Sequence, residues 1–181
     1  NKDQYLTPQG YKDFDVIEEE IKVTGLPNET LSFQQTIWGP VIDKGQNGKY
    51  AFRWVAHMPD GVNASLLKME QVKTVEEAMN IAANMGIPAQ NAMLVDKDGN
   101  AGWTIFGKIP RRPNGDYLNI YNWSDGSHDW NGWYSSAEYP RILNPSNGRL
   151  WTANARVLSG DDLAKVGFSR YDLGARAKQI R

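Results

Sequence analysis

The chain has no cysteine in 181 residues, which excludes disulfides, zinc–thiolate sites and a cysteine nucleophile and leaves the redox compartment open. No apolar run approaches the roughly 18 residues that a membrane span needs, and the opening NKDQYLTPQG lacks a signal-peptide pattern. Charge of one sign is also lacking: the net charge is -1 and the Lys and Arg residues are scattered, which argues against a nucleic-acid surface. His57 and His128 are the two histidines, and neither they nor the serines stand in a Gly-x-Ser-x-Gly or triad-like pattern. Aromatics, in contrast, are plentiful. Seven Trp and eight Tyr, with 40% hydrophobic and 23% charged residues, describe an ordinary globular chain of about one domain with large aromatic contacts in a core or cleft.

Residues 1–70 read as a lead-in β region. Phe14 to Val23 is expected to be a strand with one solvated face, because Ile21-Lys22-Val23-Thr24 alternates and Gly25-Leu26-Pro27-Asn28 reads as a turn. On that reading Glu18-Glu19-Glu20 is a solvated run rather than a metal cluster. Leu31 to Ile42 is the next strand region, bulged or cornered at Gly39-Pro40. After a turn over residues 43–48, Lys49 to Val55 alternates as a hairpin partner.

Residues 74–112 carry a capped helix and a hairpin. Thr74 and Glu77 have capping-box spacing, Val75, Ala78, Met79, Ala82 and Met85 form a stripe at helical spacing, and Gly86 with Pro88 ends it. The stripe reads as core packing. In the hairpin, Ala92 to Val95 and Ala101 to Phe106 flank Asp96-Lys97-Asp98-Gly99-Asn100, whose residues tolerate positive φ. Continuous apolar arms predict burial on both faces. The polar residues at the outer ends, Gln90-Asn91 and Arg111-Arg112, become neighbours in such a hairpin. An amide beside a guanidinium can serve an anion or oxyanion; the same residues also suit a cap and a solvated strand end.

Residues 113–157 form a loop-rich segment and a strand. Tyr117 to Tyr121 reads as a short strand, the run from Asn122 to Asn147 is long for a loop in a compact domain, and Leu150 to Asn154 reads as a further strand. Residues 169–181 begin a C-terminal amphipathic helix.

The run Q-N-A-M-L-V-D-K-D-G-N-A-G-W followed by G-K-I-P-R-R resembles the penicillin acylase (penicillin amidase) family. So do T-I-W-G-P-V-I with K-Y-A-F-R-W, D-W-N-G at 129–132 with Pro140, N-P-S-N-G at 144–148 and L-W-T-A-N at 150–154. The ordered set covers most of the chain as a single partial domain, 1–181. The resemblance implies an α+β fold: a β-rich fragment of the αββα N-terminal-nucleophile hydrolase sandwich, with antiparallel strands and one or two packed helices. It places Asn91 on the oxyanion-hole Asn and Arg112 on the Arg that orients the catalytic centre, with Arg111 the less favoured match. Asn154 falls where an Asn lines the site or, more simply, holds its backbone.

The activity implied is hydrolysis of linear amides, releasing an acyl group from an amine, as with a β-lactam side chain or an acyl-homoserine lactone. Its nucleophile is a serine at the start of a processed β-chain, activated by its own α-amine. This chain begins at Asn1, so it is expected to be an internal piece of the β-chain and inactive alone. The expected partners are a small-molecule amide and the remaining α-chain and β-chain segments, with no nucleic acid and no membrane, and with self-association through uncovered strand edges. No cofactor is expected. A structural calcium ion is implied for the parent enzyme only, and Asp96, Asp98 and Asn100 read equally well as turn formers. The compartment implied is periplasmic or extracellular. The other reading is a non-catalytic β-sandwich that stacks sugars on Trp and Tyr, which needs several Trp exposed in one open row.

Overall fold

The computed structural model describes residues 3–43, 48–114, 119–167 and 171–180. In chain order the elements are β1 (Gln4–Thr7), β2 (Gly10–Asp13), β3 (Asp15–Ile21), β4 (Glu29–Thr36), β5 (Gly39–Asp43), β6 (Lys49–Ala51), α1 (Val75–Ile81), β7 (Gln90–Val95), β8 (Ala101–Phe106), β9 (Arg141–Leu143), α2 (Gly160–Val166) and α3 (Ala175–Ile180). They form an antiparallel pair β1-β2, a four-stranded sheet β3-β4-β5-β6 and a three-stranded sheet β7-β8-β9. All named strand pairs are antiparallel, so the fold is α+β and rich in β-structure.

Helix α1 begins where its cap dictates. Thr74 Oγ1 accepts from Glu77 N at 3.1 Å while Glu77 Oε2 accepts from Thr74 N at 3.2 Å, satisfying two donors that an open helix end leaves unpaired. Asp96, in the hairpin turn, accepts from Val75 N at 3.2 Å and so ties the turn to the helix start. The remaining Asp96 bonds, to Asp98 N and to Asn100 N and Nδ2, close the turn itself. Led by the Asn100 side chain, they hold the Asp96 carboxyl below its usual range.

The helix packs down on β8 at Gly102. A Cβ there would stand 2.4 Å from Met79 Cε and 2.5 Å from Val75 Cγ1, so a side chain would push the helix off the sheet. Ala78, Ala82, Met85 and Phe106 belong to one buried cluster with Trp103 and Ile105. The helical stripe is core packing, and after Ile81 it tightens into a 3₁₀ turn at Ala82–Asn84.

Several elements differ from expectation. Strand β8 is buried on both faces, but β7 is not: Met93 and Val95 are 46% and 83% exposed, because β7 pairs only with β8 and its outer face is uncovered among the described residues. The expected strand over Leu31 to Ile42 is two strands joined by a tight turn at Ile37-Trp38. Thr36 Oγ1 closes that turn, donating to Gly39 O at 2.9 Å and accepting from Trp38 N at 3.1 Å. The hairpin partner ends at Ala51 and gives way to a 3₁₀ turn at Val55–His57.

No strand forms over residues 150–154. Ala153 and Asn154 lie at φ of 45° and 58° in a turn closed by Ala155 N donating to Thr152 O at 2.7 Å, a backbone that Asn tolerates and a strand does not. Of the strand expected at Tyr117 to Tyr121, residues 117 and 118 lie outside the described residues and 119–121 are not extended in a sheet; most of the turn at 43–48 also lies outside them. The 3₁₀ segment Ala64–Gln71, α2 and β9 carried no clear periodicity.

Candidate active site

Asn91 sits one pair in from the open end of the hairpin, opposite Ile105. Its face of the sheet is the one turned away from α1, since Ala92 is buried and successive residues alternate. Met93 pairs with Trp103, which puts Trp103 on the same face as Asn91 and diagonal to it. Trp103 is 2% exposed, and its Nε1 donates to Asn91 Oδ1 at 3.0 Å. An indole N–H only donates, so the amide oxygen must face it and the NH₂ group must face away. Among the described residues that NH₂ has no hydrogen-bond partner. Asn91 itself is exposed and stands on the wall of a cavity of about 520 Å³ lined also by Ile105, Val157, Leu158, Val166 and Asn154. The Asn154 side chain is engaged, with Oδ1 accepting from Arg176 at 2.8 Å.

Beyond β8 the chain turns at Gly107 and runs extended past Arg111 and Arg112. Residues 131–139 hold this arm. Tyr134 N donates to Ile109 O at 3.0 Å, Arg111 N to Gly132 O at 2.9 Å, and Asn131 N to Arg111 O at 3.2 Å. Tyr139, 4% exposed, donates its hydroxyl to Gly107 O at 2.6 Å and accepts from Ile109 N at 3.0 Å. Burial pushes that phenol up to about 12, so it stays a donor at any ordinary pH. Replacing Tyr139 with Phe strands a buried N–H and a buried carbonyl, and the expected loss is about 1–3 kcal/mol, read as a lower urea midpoint. A midpoint unchanged by Tyr139→Phe would show that the arm is held by other means.

The two arginines do different things. Arg111 is committed to structure: its NH2 donates to Glu138 Oε1 at 2.5 Å and Oε2 at 2.7 Å, its Nε to Trp133 O at 3.2 Å, and its guanidinium lies 4.4 Å from the Tyr134 ring centre. Arg112 donates to Lys165 O at 3.2 Å and lies 5.7 Å from the Trp130 ring centre. It faces a second cavity, of about 730 Å³, with Trp123, Trp130 and Arg53.

Arg53 is 15% exposed, pairs with Asp129 at 2.8 Å, and lies 4.7 Å from the Trp130 ring and 5.6 Å from that of Trp123. Burial lowers its pKa, and the Asp129 carboxylate opposes that shift. Trp130 thus has both guanidiniums close to its ring. Asn91 lies at, and Arg112 beyond, the open end of the hairpin, and they line different cavities. The Trp103–Asn91 bond and the half-buried Arg53 were missed in the sequence. The first had a signal, because the hairpin register alone places residues 91 and 103 on one face.

In the turn at 96–100 the Asp96 carboxylate accepts from backbone and amide N–H groups. Among the described residues no three Asp, Glu, His or Cys side chains gather where a metal could be held.

Glu138 supplies a pH-dependent tie. Bonds from Ser135 N and Oγ, and then from Arg111, lower its pKa from 4.5 to about 2. A carboxylate depressed in the folded state contributes stability that is complete above its ordinary value and lost as pH falls toward the folded one. Stability is therefore expected to decline between about pH 4.5 and 2. In Glu138→Gln that part of the decline should be missing, with the variant weaker at pH 7 and equal to the parent near pH 2. Parallel pH profiles for the two proteins would contradict this.

Residues 1–181 match the family model described as Penicillin amidase, and the chain belongs to that family. It is 29% identical over 148 residues to the penicillin acylase 2 proenzyme of Pseudomonas sp. (strain SE83), covering 79% of this chain and 19% of that protein. It is 27% identical over 146 residues to the acyl-homoserine lactone acylase QuiP of Pseudomonas aeruginosa, covering 81% and 17%. Its fold matches the thermostable penicillin G acylase from Alcaligenes faecalis with a TM-score of 0.68 and 25% identity, covering 90% of this chain and 30% of that one. The chain thus spans about a fifth of the length of these two curated relatives.

Proposed function

We propose that this chain is a segment of a longer amidohydrolase that cleaves linear amides, in which Asn91 donates its side-chain amide to the oxyanion of the tetrahedral intermediate. The observation that carries this reading is the Asn91 NH₂ group, turned away from Trp103 on a residue that lines a cavity and without a hydrogen-bond partner among the described residues. A donor held in place before the reaction costs no reorganisation when negative charge develops on the carbonyl oxygen. Arg112, resting on Trp130, would orient the surroundings of the centre as a fixed positive charge. The nucleophile, its base and the second oxyanion donor would come from segments outside this chain, the nucleophile being an N-terminal serine by family resemblance. A periplasmic or extracellular setting belongs to the same proposal, supported by family membership; no helix among the described residues is long and apolar enough to cross a membrane.

The relatives' names offer two substrate classes, penicillins and acyl-homoserine lactones, both cleaved at a linear amide. The full-length protein is expected to release amine from a chromogenic phenylacetyl amide or from a long-chain acyl amide, while the isolated 181 residues release none. The isolated chain should also elute from size exclusion as associated species, because the uncovered β7 face presents Met93 and Val95. Turnover by the isolated chain, or none by the full-length protein on either amide, would sink the proposal. Sugar stacking has little support: of the seven Trp, Trp54 alone is exposed, at 45%.

A further inference from the structure

An asparagine amide has two ends of nearly the same shape and opposite polarity. Rotated by a half turn, Asn91 would present its oxygen to a developing oxyanion and repel it. Its position on the exposed face of an edge strand provides no steric reason for one orientation. The Trp103 indole does. It lies on β8, the central strand of its sheet, 2% exposed, and its ring is fixed by the core around it. Its single polar atom, the Nε1 donor, is spent on Asn91 Oδ1 at 3.0 Å. A buried donor with no acceptor capacity admits one amide orientation, and the flipped one would set two N–H groups against each other.

We infer that Trp103 is a positioning residue, whose indole N–H locks the Asn91 amide with its NH₂ group toward the reacting carbonyl. This rests on the reading of Asn91 as the oxyanion donor. Trp103 lines the same cavity as Asn91, and in this role its N–H, bonded to Asn91 Oδ1, acts through Asn91. Removing its N–H leaves Asn91 Oδ1 to water, since Asn91 is exposed; the amide then divides its time between two orientations and several rotamers. The loss falls on the transition state, where the charge is, and not on ground-state binding.

The test is a double-mutant cycle on kcat and KM in the full-length acylase with Asn91→Ala, Trp103→Phe and the pair. Trp103→Phe is expected to lower kcat roughly tenfold, the worth of one hydrogen bond, with KM nearly unchanged. In the Asn91→Ala background it should cost nothing further, because the residue it positions is gone. A Trp103→Phe effect that multiplies in full with Asn91→Ala, or that appears in KM instead, would reduce Trp103 to core packing and overturn the inference. No effect of Asn91→Ala itself would instead overturn the reading of Asn91 on which it depends. Where Trp103→Phe fails to fold, β-(3-benzothienyl)alanine at position 103 replaces the N–H by sulfur at nearly constant volume, and the same cycle decides the matter.

Discussion

Asn91→Ala in the full-length protein should lower kcat on a linear amide by about 10²–10³, equivalent to roughly 2.7–4 kcal/mol of transition-state stabilisation, with a much smaller change in KM. The magnitude follows from when the interaction forms. On the proposed role, the substrate carbonyl carries little charge on binding, so the Asn91 NH₂ group would contribute little to ground-state affinity; in a tetrahedral intermediate the oxygen is an anion and the same donor would become strong. The variant should fold normally. Asn91 is exposed, and its loss leaves only the Trp103 N–H without its acceptor, at a cost of about 1–3 kcal/mol. Steady-state kinetics on a chromogenic amide decide it, and a near-normal kcat would remove Asn91 from the chemistry.

Gly107→Ala is expected to be the most damaging small substitution near the site, at about 3 kcal/mol from the combined cost of a left-handed backbone and a steric overlap. Gly107 has φ of 102°, and an added Cβ would lie 2.4 Å from Ile87 O and 3.0 Å from Ala89 Cα. Neither neighbour is a flexible side-chain end that can swing away. Both belong to the segment that leads from the helix to Asn91, while Gly107 itself starts the arm that carries Arg111 and Arg112. The clash would therefore separate the two strands of chain that meet at the hairpin's open end. A large fall in the urea midpoint, with loss of the proposed amidase activity in the full-length protein, is the expected result. A shift below about 0.5 kcal/mol, ordinary for a surface position, would show that this crossing is loose.

The parts of this protein legible in its sequence are those governed by local chemistry. The Thr74–Glu77 box begins α1 where its spacing says, and the Asp96 to Asn100 turn fixes a hairpin register that the structure keeps from Gln90↔Phe106 to Val95↔Ala101. The family was legible through ordered motifs, none decisive alone. What failed depended on non-local packing. Nothing in Leu150 to Asn154 announces that Ala153 and Asn154 turn back with positive φ, and the apolar arms of the hairpin could not reveal that β7 lies at a sheet edge. Arg111 and Arg112 look alike in sequence. Only the fold distinguishes them, by giving Arg111 the Glu138 carboxylate 27 residues away and seating Arg112 against Trp130.

The most direct test is a crystal structure of the full-length protein carrying a boronate adduct, whose tetrahedral oxygen stands in for the oxyanion. Asn91 Nδ2 is expected within about 2.7–3.1 Å of that oxygen, with Oδ1 still held by Trp103. A boronate oxygen beyond hydrogen-bond reach of Asn91, or facing its carbonyl end, would contradict the account.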